Sequence, residues 1–215
     1  MYLKLKNPTS HQYHLFKDFI LGPEIPWFYG LSTDTEERTK KGHMHSPYIG
    51  HSFIGRPEHI GYSSVESPFI DRVVPIMREI LDFNELPFLK KYIFIRAAVN
   101  CTWPNQGAQL SQPHVDHNFP HYNFIVYFTG DGETFIEKDP VSSCSINDED
   151  VIVHSPKPHD AILFSGRHYM KLPSKDRRII LVATLIPMDN EGLDKFGVEG
   201  YWEQFKYRLI QITLL

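Results

Sequence analysis

His114 and Asp116 stand one residue apart in the run SQPHVDHNFPHYNF. On an extended strand, side chains two residues apart point to the same face. An imidazole and a carboxylate placed this way can reach one metal ion together. Two ligands do not hold a catalytic metal, so a third is needed from a distant part of the chain. His168 fits that role. It follows the apolar run Ile162-Leu163-Phe164 and the turn Ser165-Gly166, on a strand that would return beside the first.

Two histidines and one carboxylate on one face of an octahedral ion suit non-haem Fe(II) and leave three positions open. Two of these can take a chelating 2-oxo acid and one dioxygen. Such an acid needs a cation for its far carboxylate. Arg177 and Arg178 open the final apolar run RIILVATLI. A guanidinium binds a carboxylate at two points and stays charged when buried. Only one of the pair can point inward. The order Arg178-Ile179-Ile180-Leu181 favours Arg178, with Arg177 as the alternative.

Short strands must position these residues. From residue 88 the sequence runs in apolar stretches of four to eight residues separated by turn signals. We expect strands over 91–102, 109–117, 122–129, 133–137, 150–154, 160–164, 167–171 and 178–187, with Gly130-Asp131-Gly132 as a tight turn. About eight strands with no helix between them predict an antiparallel sandwich or barrel. Before them, 2–6 alternates like a strand, 11–21 reads as a short helix, and 26–47 as a long polar loop. The region 64–86 is the strongest helix, with Ser67 as N-cap, Pro68 as first helical residue, and an apolar face from Ile70 through Leu81. The tail contains a helix near 198–209 and the apolar end LIQITLL, which could cover a sheet edge or a second subunit.

Among 215 residues, 41% are hydrophobic and the net charge is −4, which suits one domain with its own core and no nucleic-acid partner. Residues 1–10 lack the apolar core of a signal peptide, and no run is long enough to span a membrane. With only Cys101 and Cys144, two free thiols and a cytoplasmic location are expected. Of the 12 histidines, His43, His45 and His51 read as exposed loop residues, and His154 and His159 as solvated. The odd spacing of His117 from His114 turns it to the opposite face. His121 reads as a supporting or substrate-facing group, and Arg167 as facing either substrate or solvent.

The pieces RAAVN at 96–100, PHVD at 113–116, IVYFTGDGETFI at 125–136, SPKPHDAILFSGRHY at 155–169 and RIILVATL at 178–185 resemble, in this order, the 2-oxoglutarate and Fe(II)-dependent dioxygenases. The similarity is to their prolyl-4-hydroxylase-like side and to small stand-alone members of bacteriophages and marine bacteria. It covers about half the chain.

The resemblance implies a mainly β fold with flanking helices, a double-stranded β-helix (jelly-roll, cupin-like) core packed on N-terminal helices. Residues 1–87 form a helical and loop region of the same domain, 88–187 the catalytic core, and 188–215 a helix and tail. It implies that His114, Asp116 and His168 bind Fe(II) and that Arg178 pairs with 2-oxoglutarate. Tyr127 falls where a family tyrosine joins that carboxylate, with a core aromatic as the other reading. Asn100 and Trp103 fall near the co-substrate. The implied reaction is hydroxylation of a peptidyl residue such as proline, or of a small molecule, by dioxygen, with succinate and CO2 released and ascorbate as a supporting reductant. The competing classes are a cupin-like metalloprotein that does not use 2-oxoglutarate and a non-catalytic binding module. A homodimer would suit the apolar tail.

Overall fold

The computed structural model describes residues 1–30, 47–57, 61, 63–104, 110–138 and 150–188. The expected tail helix, His43, His45 and Cys144 lie outside them. Ten strands and two helices form the described part. The strands are β1 (Tyr2–Leu5), β2 (Phe28–Gly30), β3 (Tyr48–Ile54), β4 (Tyr92–Thr102), β5 (Tyr122–Thr129), β6 (Thr134–Glu137), β7 (Val151–His154), β8 (Ala161–Phe164), β9 (His168–Met170) and β10 (Arg178–Pro187). The helices are α1 (His11–Leu21) and α2 (Ile70–Phe83).

The strands make a seven-stranded sheet, β1-β8-β5-β10-β4-β3-β2, and a three-stranded sheet, β7-β6-β9, with all pairings antiparallel. This is the expected double-stranded β-helix with flanking helices. Alternation along the central strands explains its two cores. On β10, Ile179, Leu181, Ala183 and Leu185 pack outward with Ala97, Val99 and Cys101 of β4 against the helices. Ile180 and Val182 face inward with Ile125 and Tyr127 of β5 and Ile136 of β6. A strand buried on both faces reads as a continuous apolar run, as β10 does, and any charged residue on it needs a reason to be there.

The helices supply the outer layer. In α1, the Ser10 hydroxyl accepts from the Tyr13 amide at 3.0 Å, and Tyr13, Phe16 and Ile20 are buried. In α2, Val73, Ile76, Met77, Ile80 and Leu81 are buried at helical spacing. This helix begins at Ile70, two residues after the expected first helical residue, Pro68. Residues 64–66 run beside β3, where the Gly55 amide donates to the Ser64 carbonyl and the Glu66 amide to the Phe53 carbonyl. Ser67 is therefore not the N-cap. Its hydroxyl accepts from the Phe69 amide at 3.2 Å and lies 2.7 Å from His51 Nε2. His51 is accordingly a buried strand residue and not an exposed one, with Nδ1 2.9 Å from the Pro26 carbonyl. Part of the expected 26–47 loop is strand, since β2 pairs with β3.

Gly130 and Gly132 both have positive φ, 83° and 99°, as the tight turn after β5 requires. A Cβ on Gly130 would stand 2.6 Å from the Arg178 Cα, so this glycine lets the turn lie against the start of β10.

Candidate active site

The expected strand over 109–117 is reduced to two isolated bridges, Leu110 with Lys171 and His114 with His168. Pro113 has no amide to donate, which interrupts the ladder. The second bridge has a direct consequence. His114 and His168 exchange both backbone hydrogen bonds, at 2.9 Å each, so they sit side by side at the β9 edge of the smaller sheet. Their rings lie 4.6 Å apart. Asp116 joins them: the ligand atoms of His114, Asp116 and His168 all lie within 4.8 Å of one another, and His168 Nε2 is 3.6 Å from Asp116 Oδ2.

Each side chain is held in a useful state. His114 Nδ1 lies 2.9 Å from the Gln112 carbonyl, which can only accept, so that nitrogen carries the proton and Nε2 is left to bind. Burial, partly opposed by Asp116, lowers the His168 pKa to about 4, so its imidazole is neutral near pH 7. Burial alone would raise the Asp116 carboxyl. Arg96 leads the opposing charges, followed by His168, Arg56 and His114, and together they hold it well below the usual carboxylate range.

A pH dependence follows. Between pH 6.5 and 4 the unfolded chain protonates His168 while the native metal-free protein does not. The unfolded state then binds more protons, and stability rises with pH across this window. His154, also lowered by burial, acts in the same sense. Lowering the pH from 6.5 to 4 in a chelator should therefore cost at most ~3 kcal/mol through His168. Thermal unfolding of wild type and His168→Ala over that range checks this, since the variant should lose much of the slope.

Arg178 is the inward member of its pair. It is 2% exposed, whereas Arg177 is exposed. Its Nη2 donates to Thr134 Oγ1 at 3.0 Å and its Nη1 to Met170 Sδ at 3.2 Å. Its Nε has no hydrogen-bond partner among the described residues, and no carboxylate of those residues lies within ion-pair distance. Burial lowers its pKa, yet a guanidinium remains charged. A buried guanidinium without a paired carboxylate is costly, and among the described residues Tyr127, Asp131 and Glu133 act to favour its charge. Tyr127 lies beneath it, with the Arg178 Cζ 5.2 Å from its ring centroid and its hydroxyl 2.8 Å from Thr134 Oγ1. Tyr127 is thus both a core aromatic and part of the arginine's hydrogen-bond network.

A cleft of about 120 Å³ connects the triad to Arg178 and is also lined by Asn100, Thr102, Ile180 and Val182. The residues present therefore fit a divalent ion at one end and a dicarboxylic 2-oxo acid reaching toward the other. Asn100 lines this cleft. Trp103 does not line it. It follows the last residue of β4 and is 42% exposed, because Thr102 takes the inward position.

Other sequence expectations change. His117 is buried, with Nε2 2.7 Å from Thr184 Oγ1, on the inner face of β10. The chain bends over 116–119, so strand parity no longer decides its direction. His121 is buried beside it, the two rings 4.7 Å apart. His154 is buried, not solvated, and its Nδ1 lies 3.0 Å from the Tyr2 hydroxyl, which crosses from the larger sheet. His159 is exposed as expected. Arg167 is half-buried and pairs with Glu137 at 2.8 Å.

Two residues at the site carried no recognised signal. Arg56 Nη2 and Arg96 Nη1 each donate to Asp116 Oδ1 at 2.7 Å. Arg96 shares the inner face of β4 with Asn100 by strand alternation, which is a signal the sequence does contain.

No protein-family model matches the chain, and no curated protein matches its sequence. Solved structures do. An oxidoreductase of the 2OG-Fe(II) oxygenase family from Burkholderia pseudomallei aligns with a TM-score of 0.62 at 15% identity, covering 86% of this chain and 84% of that one. A prolyl hydroxylase from Trichoplax adhaerens, in complex with a hypoxia inducible factor oxygen degradation domain peptide fragment, aligns with a TM-score of 0.51 at 10% identity over 86% and 82%. The fold is that of the 2OG-Fe(II) oxygenases. In this oxygenase fold the cleft lies between the two sheets, and its His-Asp-His cluster and buried arginine both face into it. No helix among the described residues is long and apolar enough to cross a membrane.

Proposed function

We propose that this protein is a non-haem Fe(II) and 2-oxoglutarate-dependent oxygenase that hydroxylates a peptidyl residue, with proline as the leading choice. The observation that carries the reading is the pairing, in one cleft, of a triad able to hold a metal with a buried arginine that no carboxylate of the described residues pairs. His114 and His168 offer imidazole nitrogens and Asp116 a carboxylate, the donor set of a facial Fe(II) site. Arg178, with Thr134 beside it, would hold the far carboxylate of 2-oxoglutarate.

When bound, iron and 2-oxoglutarate supply the oxidation, in which dioxygen provides one oxygen atom to a substrate C–H bond and one to succinate, with CO2 released. The chain's own work is to position and to exclude water. Ile125, Ile180 and Val182 give the cleft an apolar wall between the triad and the arginine. No protein nucleophile or acid–base pair is required. An adjoining open groove, lined by Phe28, Tyr29, Tyr48 and Gly50, shares Arg56, Arg96 and Asn100 with the cleft. An extended substrate lying there would reach the triad, which supports a peptide.

The test is an anaerobic titration with Fe(II) and then 2-oxoglutarate, followed in the visible region. A charge-transfer band that appears only on adding 2-oxoglutarate is the expected result. Bound iron without the band would leave a cupin-like metalloprotein, and failure to bind iron would leave a binding module. Succinate release with candidate peptides then addresses the substrate.

A further inference from the structure

The two oxygens of Asp116 have different surroundings. Oδ2 faces His168 Nε2 at 3.6 Å. Oδ1 accepts from both Arg56 Nη2 and Arg96 Nη1, each at 2.7 Å. Arg56 also donates through Nη1 to the Asp116 backbone carbonyl at 2.9 Å, so one guanidinium grips the main chain and the side chain of the same residue. Arg96 comes from β4 and Arg56 from the segment just after β3, so the carboxylate is held from two neighbouring parts of the larger sheet. A carboxylate can bind a cation through one oxygen or through both. Here charge-assisted hydrogen bonds occupy one oxygen and fix the rotation of the group.

We propose that Arg56 and Arg96 are positioning residues that clamp Asp116, withholding Oδ1 so that only Oδ2 ligates the metal. This rests on reading the triad as a metal site. Two further positive charges beside the ligand also weaken its hold on a cation, so the clamp trades affinity for a fixed, one-oxygen ligand and an open coordination position. A merely structural ion pair would have the opposite signature, because loosening it would disorder the ligand and weaken binding.

The experiment uses the full chain loaded with Co(II) alone, whose visible spectrum reports coordination. Dissociation constants and spectra are compared for wild type, Arg56→Gln, Arg56→Lys, Arg96→Gln and the Arg56→Gln/Arg96→Gln double variant. Arg56→Gln removes one cation near the metal and loosens Oδ1. It should bind Co(II) about ten-fold more tightly, since like charges a few ångströms apart repel strongly at a partly buried site, and in the double variant, where neither guanidinium holds Oδ1, the spectrum should change as the second oxygen joins. Arg56→Lys, which restores the charge, should return the affinity toward wild type. Arg56 is the less buried of the two, with its side chain 29% exposed, so its variants keep the test decisive if Arg96→Gln does not fold. Weaker Co(II) binding by Arg56→Gln, or an unchanged spectrum in the double variant, would overturn the clamp while leaving the triad intact. A wild-type protein that binds no Co(II) would overturn the metal site, and the clamp with it.

Discussion

His168→Ala should abolish measurable Fe(II) binding and reduce turnover by at least ~1000-fold, because loss of one ligand of three exceeds the 10–100-fold typical of groups that only support a ligand. The choice of His168 over its partners matters. Asp116 is ionised and accepts two arginines, so Asp116→Ala would strand two guanidinium groups around a buried gap. Breaking a buried ion pair in this way costs about 3–5 kcal/mol and confuses metal loss with unfolding. His168 is neutral at pH 7, and its buried ring packs on His114 and Phe164, with centroids 4.6 and 5.0 Å away. Truncation removes packing without stranding a charge, at a cost of about 2–3 kcal/mol. Iron content after anaerobic loading, read beside thermal unfolding in a chelator, separates the two effects. A folded His168→Ala protein that retains Fe(II) within ten-fold of wild type would remove the triad from consideration.

His114, Asp116, His168 and Arg178 were legible because each rests on local rules. The HxD spacing, a turn before a short strand and a charged residue opening an apolar run are all read within a few positions. Strand parity also separated Arg178 from Arg177, since β10 pairs with β4 in unbroken register there and one of two adjacent residues must face inward. Parity failed at His117, where the backbone bends and no longer alternates. It was not applied to Arg96, though RAAVN lies on a regular strand. Arg56 had no such route. Its contact with Asp116 spans 60 residues and is made by a segment outside any strand. The same limit applies to His51 and His154, whose burial depends on Ser67 and Tyr2, partners supplied by folding and not by neighbours in sequence. β3 was missed because Gly50 and Ser52 blur the alternation of YIGHSFI. Of the two residues taken from family-level similarity, Asn100 lines the cleft and Trp103 does not, because one residue past a strand end reverses the side to which a side chain belongs.

Arg178→Met should raise the concentration of 2-oxoglutarate needed for half-maximal turnover by about 100-fold or more, the scale expected when one partner of a buried charge pair is removed. The same substitution should leave the metal-free protein as stable as wild type, or more so. These opposite effects share one cause. Without its anion, Arg178 is a cation inside the fold with one nitrogen unpartnered and a thioether among its acceptors. Replacing a buried charge by an apolar side chain of similar length removes a desolvation cost and is often neutral or stabilising. With the anion present, the guanidinium and the far carboxylate neutralise each other in a site of low dielectric, and the substitution removes that attraction. Arg178→Lys should fall between the two, since an ammonium keeps the charge but cannot serve Thr134 and both oxygens of a carboxylate together. Wild type and both variants would be compared by urea unfolding without metal and by succinate formation against 2-oxoglutarate concentration. If Arg178→Met binds Fe(II) normally and its dependence on 2-oxoglutarate stays within about threefold of wild type, the arginine is not the anchor. A role for 2-oxoglutarate would then lack its structural basis. If stability rises while co-substrate binding collapses, the unpaired charge is explained as stability given up for a binding site.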